Sequence, residues 1–152
     1  MIDLAVDPGQ TAGIAWLDEE SLAFGHAELG WREALDCCVT LELSAGVRLL
    51  VVERYVLSPA SLRMSREGLA AVEMLGALRY LLAPRVAEWA EQTAAEAMRF
   101  ATNDKLRAAG MYVRGREHAR DAARHLLTAL VVRGRVRPED LVQSERSEEG
   151  GE

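Results

Sequence analysis

Apolar segments in the first third of the chain occur in an order that restricts the possible folds. Three short strand-like segments, Ile2–Val6, Thr11–Leu17 and Leu22–Ala27, are joined by brief turns rich in Asp, Pro, Gly and Glu. Strands linked in this way are typical of an antiparallel meander. A helical periodicity over Trp31–Leu43 then leads into Val47–Val52, a nearly continuous apolar run typical of a buried parallel strand.

The rest of the chain alternates helix and strand patterns. Apolar residues at helical spacing predict a long helix over Leu62–Leu82, which Pro84 ends, and a short strand follows over Val86–Trp89. Lys105–Ala109 is a capped short helix, and Glu117–Val132 is a strongly amphipathic one. The order β-β-β-α-β-α-β-α predicts an α/β fold with a five-stranded mixed sheet, three antiparallel strands followed by parallel ones, flanked by helices.

The size and composition predict one domain. The chain has 152 residues, of which 49% are hydrophobic and 28% charged, as in ordinary globular proteins. We expect a folded domain over residues 1–137 and an acidic, flexible tail over 138–152. No apolar run approaches the roughly 20 residues of a membrane span, and the N-terminus lacks the features of a signal peptide. Cys37 and Cys38 are adjacent, so we expect free thiols and a cytoplasmic setting.

Charge is distributed unevenly along the sequence. The net charge is −6, yet the stretch from Arg99 to Arg137 holds ten cations and only three acidic residues, a local balance of about +7. Such asymmetry can create a phosphate-binding face on an acidic protein. The alternative is a solvated basic helix face without a binding role.

Two acidic residues stand where predicted strands end. Asp7 follows Ile2–Val6 and precedes a Pro-Gly turn, and Glu53 follows Val47–Val52. Each also has an ordinary interpretation, because Asp is common in turns and a Glu at a strand end is often solvated. Strand ends can nevertheless bring both carboxylates to one edge of the sheet.

The last helix offers a second pair of polar residues. His118 and Asp121 are three residues apart, which places them on the same helix face. An exposed polar face is the alternative, and His125 is predicted to lie on such a solvated surface. If the pair meets Asp7 and Glu53, the clustered carboxylates repel one another unless a cation neutralises them. Divalent ions such as Mg²⁺ bind oxygen ligands and catalyse phosphodiester hydrolysis in pairs.

Four stretches together resemble a known family. AVDPGQTAGIAW (Ala5–Trp16), LLVVERYVL (Leu49–Leu57), FATNDKLRAAGMYV (Phe100–Val113) and HARDAARHLLTAL (His118–Leu130) are similar, in order and spacing, to the RuvC-type Holliday-junction resolvases of the RNase H-like nuclease superfamily. The family usually has Asp-x-x-Asp on the last helix, whereas this chain has His118 in the first position.

The resemblance implies an RNase H-like nuclease domain with Asp7, Glu53, His118 and Asp121 as the catalytic and metal-binding set. It implies Mg²⁺, with Mn²⁺ as a substitute, a homodimer, and paired nicks in a four-way DNA junction. The compact size is similar to phage-borne members, which would act in the host cytoplasm and whose substrates extend to flaps or forks. Whether His118 is a metal ligand or a proton-transfer group stays open.

Basic residues near these motifs are the predicted DNA contacts, because cationic side chains bind phosphates without regard to sequence. They are Lys105, Arg114, Arg116, Arg120, Arg63 and Arg66. The apolar stripe of Leu62–Leu82 is interpreted either as a dimer interface or as core packing.

Three other functions are alternatives to a resolvase. An actin-like ATPase also opens with Asp-x-Gly but needs two such domains, and this chain has the length of one. A 3′→5′ exonuclease of the same superfamily carries Asp-x-Glu on the first strand, where this chain has Gly9. A non-catalytic branched-DNA-binding module would not need all four predicted site residues.

Overall fold

The computed structural model describes residues 1–55 and 66–141. Five strands form one mixed sheet in the order β3-β2-β1-β4-β5. The first three pair antiparallel, whereas β4 lies parallel to β1 and β5 parallel to β4. The predicted mixed sheet is therefore confirmed. The strands are β1 (Ile2–Asp7), β2 (Thr11–Asp18), β3 (Phe24–Gly30), β4 (Val47–Glu53) and β5 (Glu88–Gln92).

Helices cover both faces of the sheet. On one face, buried side chains of α1 and α2 share a core with the sheet, and on the other the core is built around α5, with α3 and α4 beside it. The helices are α1 (Trp31–Ala45), α2 (Arg66–Leu81), α3 (Ala94–Phe100), α4 (Asn103–Ala108) and α5 (Glu117–Val132). In the described ranges, no helix is long and apolar enough to cross a membrane.

Strand alternation decides which side chains face α5. Leu4 and Val6 of β1 belong to the core shared with α1 and α2, whereas Ala5 packs in the core around α5. Because successive strand residues point to opposite faces, Asp7 lies on the α5 side with Ala5. The same alternation in β4 places Glu53 with Leu49 and Val51 on that side.

Two predicted strands start and end too early. The strand expected over Leu22–Ala27 is observed later, as β3 over Phe24–Gly30. It starts later because Leu22 belongs to a turn: the carboxylate of Asp18 accepts backbone N–H groups of this turn, and Leu22 adopts a positive φ of 56°. The strand expected over Val86–Trp89 is observed later, as β5 over Glu88–Gln92. It starts later because the N–H of Val86 donates to the Leu82 carbonyl, so Val86 still belongs to the turn after α2.

Helix α3 was not predicted. Its N-terminus is a capping box, in which the Thr93 hydroxyl accepts the N–H of Glu96 and the Glu96 carboxylate accepts the N–H of Thr93. The spacing Thr-x-x-Glu in the sequence is the signal that indicates this helix. The helix predicted from residue 62 is observed from Arg66, and residues 56–65 lie outside the described part of the chain.

Pro138–Leu141 forms a short 3₁₀ helix. Leu141 is 6% exposed and packs in the core around α5. The division of the chain at residue 137 and the flexible tail stay predictions, since residues 142–152 are not described.

Candidate active site

One residue from each strand lies at the same level of the sheet, at the end where β1 and β4 finish. Strand register aligns Asp7 with Gly13 and Gly13 with Glu28, and it aligns Glu53 with Gln92. Asp7 and Glu53 each follow directly after a paired valine of β1 and β4. We refer to this set as the polar row, and it consists of Glu28, Gly13, Asp7, Glu53 and Gln92.

One side of helix α5 packs over the polar row. His118, Asp121 and His125 are spaced by three and four residues, so they lie on one side of the helix. Nδ1 of His118 is 2.9 Å from Oδ2 of Asp7, and Nε2 of His125 is 2.9 Å from Oε2 of Glu53. The helix and the sheet therefore meet through polar side chains at two points of the row.

Two residues of the row allow α5 to come this close. A Cβ atom on Gly13 would lie 1.9 Å from the backbone oxygen of His118, so only glycine fits there. Oε2 of Glu28 accepts the N–H groups of His118 and Ala119 at 2.8 and 3.2 Å. Since the N-cap residue Arg116 makes no side-chain capping bond, Glu28 satisfies helix N–H groups that would otherwise lack a partner.

Asp7 is a buried carboxylate whose negative charge is only partly balanced by its neighbours. Burial, and after it the negative charge of Glu53, raises the pKa of Asp7 from 3.8 to about 6, although the hydrogen bond with His118 acts in the opposite direction. Asp3, on the same strand and 1% exposed, is held by Arg48 at 2.6 Å and by Arg135 at 2.9 Å. The two aspartates of β1 thus differ: Asp3 has two arginine partners, and Asp7 has a histidine.

The pKa values of His118 and Asp121 on α5 are also raised. Burial lowers the pKa of the His118 imidazole, but the hydrogen bond with Asp7 and the charges of Asp7 and Glu28 outweigh this and raise it above 6.5. Burial raises the pKa of Asp121, although the nearby Arg124 opposes the shift. Negative charge at this end of the sheet is therefore incompletely neutralised by the protein itself.

The four predicted site residues occupy two adjoining spaces. Asp7, Glu53 and His118 line a cleft of about 280 Å³ together with Tyr55. Asp121 lies beside the next, smaller space, which it shares with Glu53, His125 and Arg124. Glu53 borders both, so it connects the Asp7 side of the site to the Asp121 side.

The side chains of Asp7, Glu53 and Asp121 are of the type that binds divalent cations. In the described ranges, however, no three His, Cys, Asp or Glu side chains lie close enough together to hold a metal ion in their present positions. Carboxylate oxygens are the ligands that hard ions prefer. The charges of Glu53 and Asp121 raise the pKa of Asp7, which is the signature of carboxylates that a cation would stabilise. A cation bound at Asp7 would compete with the hydrogen bond between His118 and Asp7.

Two solved structures are similar to this chain over nearly its whole length. A complex described as T. thermophilus RuvC with Holliday junction substrate has a TM-score of 0.62 at 14% identity, covering 88% of this chain and 96% of that one. A structure of Thermus thermophilus RuvC has a TM-score of 0.58 at 16% identity with the same coverage. The fold is RNase H-like, as in RuvC. No protein-family model and no curated protein sequence matches the chain.

The predicted DNA-contact residues lie in different settings. Arg114 and Arg116 are exposed in the loop before α5, and Arg66 is exposed at the start of α2. The Lys105 ammonium lies 4.0 Å from the centre of the Phe100 ring. Arg120 is partly buried, with its guanidinium 6.0 Å from the Tyr112 ring centre. Arg63 lies outside the described residues. A role for these cations in binding DNA stays a prediction.

Sequence reasoning missed three residues of the polar row and misplaced one helix residue. His125 was expected on a solvated surface, and this was wrong, because the side chain is 1% exposed and both ring nitrogens are hydrogen-bonded. Its position four residues after Asp121 was an available signal. Nothing in the local sequence indicates the contacts of Glu28, Gly13 or Gln92, which depend on strand register.

Metal-free protein should be more stable near pH 5 than near pH 8. The pKa of Asp7 is about 6 in the fold against 3.8 as its ordinary value, so protonation stabilises the fold fully below 3.8, and this contribution is lost as the pH rises through 6. The difference of about 2 pKa units corresponds to roughly 3 kcal/mol over the whole pH range, of which about half, roughly 1.4 kcal/mol, is lost between pH 5 and pH 8. The raised pKa values of His118 and Asp121 act in the same direction.

Urea unfolding in EDTA at both pH values measures this effect, and Mg²⁺ should reduce it by stabilising the ionised carboxylates. Asp7→Asn provides the control, because the variant cannot titrate at this position and should show a weaker pH dependence. A free energy of unfolding that rises from pH 5 to pH 8 in the wild type would contradict the prediction.

Proposed function

We propose that this protein is a divalent-metal-dependent endodeoxyribonuclease that cleaves four-way DNA junctions, with flaps or forks as further substrates. The observation that carries the proposal is that Asp7, Glu53, His118 and Asp121 line two adjoining spaces at one end of an RNase H-like sheet. Clustered, incompletely neutralised carboxylates on this fold are suited to phosphodiester hydrolysis.

Asp7, Glu53 and Asp121 would hold Mg²⁺, with Mn²⁺ as a substitute. Bound divalent ions supply activation of water and stabilisation of the leaving 3′ oxygen. The side chain of His118 is 45% exposed and lies within hydrogen-bond distance of Asp7, so it can complete the ligand set or exchange a proton with solvent. Both roles for His118 are retained in the proposal.

DNA would be held by cations around the site. Arg114, Arg116 and Arg120 lie on and just before α5, and Lys105 and Arg66 lie on other helices, so together with Arg63 they could contact several phosphates. Binding of this kind is independent of base sequence and weakens with salt. The similar RuvC structure in complex with Holliday junction substrate supports branched DNA as the ligand.

Cleavage of both strands of a junction requires two active sites, which supports a homodimer. Helix α2 exposes Leu69, Val72 and Tyr80, of which Tyr80 is 83% exposed. Apolar side chains exposed along one helix are suited to subunit contact. We further propose that the protein acts in the cytoplasm, as a phage-type member of the resolvase family would.

A panel of DNA substrates tests the proposal. Labelled junction, flap, fork, duplex and single-stranded DNA are incubated with Mg²⁺, Mn²⁺ or EDTA, and the products are sized. We expect internal nicks in the junction that need the divalent ion. Release of nucleotides from strand ends would instead indicate an exonuclease, and junction binding without cleavage in either metal would indicate a non-catalytic binding module.

A further inference from the structure

Glu53 is fixed by a histidine that solvent does not reach. The side chain of His125 is 1% exposed, whereas that of His118 is 45% exposed. A buried imidazole destabilises the fold unless its nitrogens are hydrogen-bonded, and here Nε2 lies 2.9 Å from Oε2 of Glu53 while Nδ1 lies 3.2 Å from Oε1 of Gln92. A ring held at both nitrogens cannot rotate without losing one of these bonds.

Gln92 is placed for this contact by the sheet itself. It pairs in register with Glu53 across β4 and β5, so the two side chains are neighbours in the polar row, and the backbone oxygen of Gln92 accepts the N–H of Arg54 at 2.7 Å. Its amide offers both a donor and an acceptor. Turned so that its NH2 group faces Nδ1 in place of Oε1, this amide donates to Nδ1 and holds the ring with the Nε2 proton directed at the Glu53 carboxylate.

We propose that Gln92 and His125 are positioning residues that fix the carboxylate of Glu53 for metal binding. The inference rests on the proposed function, in which Glu53 is a metal ligand. Glu53 borders both spaces of the site, and its flexible side chain is otherwise free to adopt several rotamers at a strand end. One oxygen is oriented by His125, which leaves the other for the cation. Partners of this kind commonly change metal affinity by about 10- to 100-fold.

The experiment measures Mn²⁺ binding to the DNA-free protein by titration calorimetry, which does not depend on cleavage. We expect His125→Ala to weaken Mn²⁺ binding by about 10- to 100-fold, and Gln92→Ala to weaken it in the same direction by a smaller factor. His125→Gln should recover part of the affinity, because its amide can donate to Glu53.

Thr128→Val is the matched control. Thr128 is also buried on α5, and its hydroxyl has no hydrogen-bond partner among the described residues. The variant changes a buried polar group of the same helix without touching Glu53, so its Mn²⁺ affinity should equal that of the wild type. An equal loss in Thr128→Val would overturn the specific role of His125.

The outcomes separate this inference from the proposed function. A wild-type protein that binds no Mn²⁺ contradicts the metal site itself. A wild type that binds Mn²⁺, with unchanged affinity in His125→Ala and Gln92→Ala, overturns only the positioning role. If His125→Ala does not fold, Gln92→Ala decides the matter, because Gln92 is only partly buried on an edge strand.

Discussion

Asp7→Asn should lower the rate of junction cleavage in Mg²⁺ by about a thousandfold or more. Asp7 is the most buried of the predicted metal ligands, and the asparagine side chain removes the charge that attracts the cation. Metal stabilisation of a phosphoryl transition state contributes several kcal/mol, and each 1.36 kcal/mol is a factor of ten in rate. Single-turnover cleavage of a labelled four-way junction measures the effect.

The loss should not come from unfolding. Asparagine has nearly the same shape as aspartate, and its carbonyl oxygen can still accept a hydrogen bond from His118. Because the pKa of Asp7 is raised to about 6, the variant loses an unfavourable buried charge and should unfold at the same or a higher urea concentration at neutral pH. Asp36→Asn, an identical change at an exposed position of α1, should cleave at the wild-type rate. Equal rates for wild type and Asp7→Asn would remove the metal-site assignment.

Gly13→Ala should destabilise the fold by about 3 kcal/mol and suppress cleavage. The new methyl group would overlap the backbone oxygen of His118 at 1.9 Å, and backbone atoms cannot move aside as a flexible side chain can. Overpacking a closely packed interface typically costs about 1–3 kcal/mol, and contact with backbone belongs at the upper end. Relief requires α5 to move off β2, which would also separate His118 from Asp7.

Gly76→Ala is the matched control for this change. Gly76 lies in α2, is exposed, and has no atom within 4 Å of the position that a Cβ would occupy. Alanine in a helix interior is favoured over glycine by roughly 0.5–1 kcal/mol, so this variant should be slightly more stable than the wild type. Urea unfolding of both variants makes the comparison. A Gly13→Ala protein with wild-type stability and cleavage would mean that α5 does not approach β2 this closely.

Much of the fold was accessible from the sequence because it depends on local patterns. The apolar run Ile2–Val6 predicts β1, and the amphipathic spacing of Glu117–Val132 predicts α5. The ends of β3 and β5 were predicted less well. They depend on turn contacts, such as the Asp18 carboxylate, that periodicity does not report.

The candidate site was only partly accessible for a different reason. Asp7 and Glu53 follow apolar runs, so their place at strand ends can be predicted from each strand alone. Glu28 and Gln92 gain their contacts from the register between neighbouring strands, which no single strand encodes. The burial of His125 likewise depends on where α5 lies over the sheet. Its helical spacing from Asp121 is visible in the sequence, and its neighbours are not.

Because strand pairing fixes every residue of the polar row, length changes would affect the protein unequally along its chain. One residue inserted within a strand turns the side chains beyond it to the opposite face, so an apolar neighbour would replace the carboxylate or amide beneath α5. The same insertion in the turn between β2 and β3 leaves the pairing untouched. Distant proteins with this fold could therefore differ widely in loop length. Within each strand, the number of residues from its start to its residue in the polar row should stay the same.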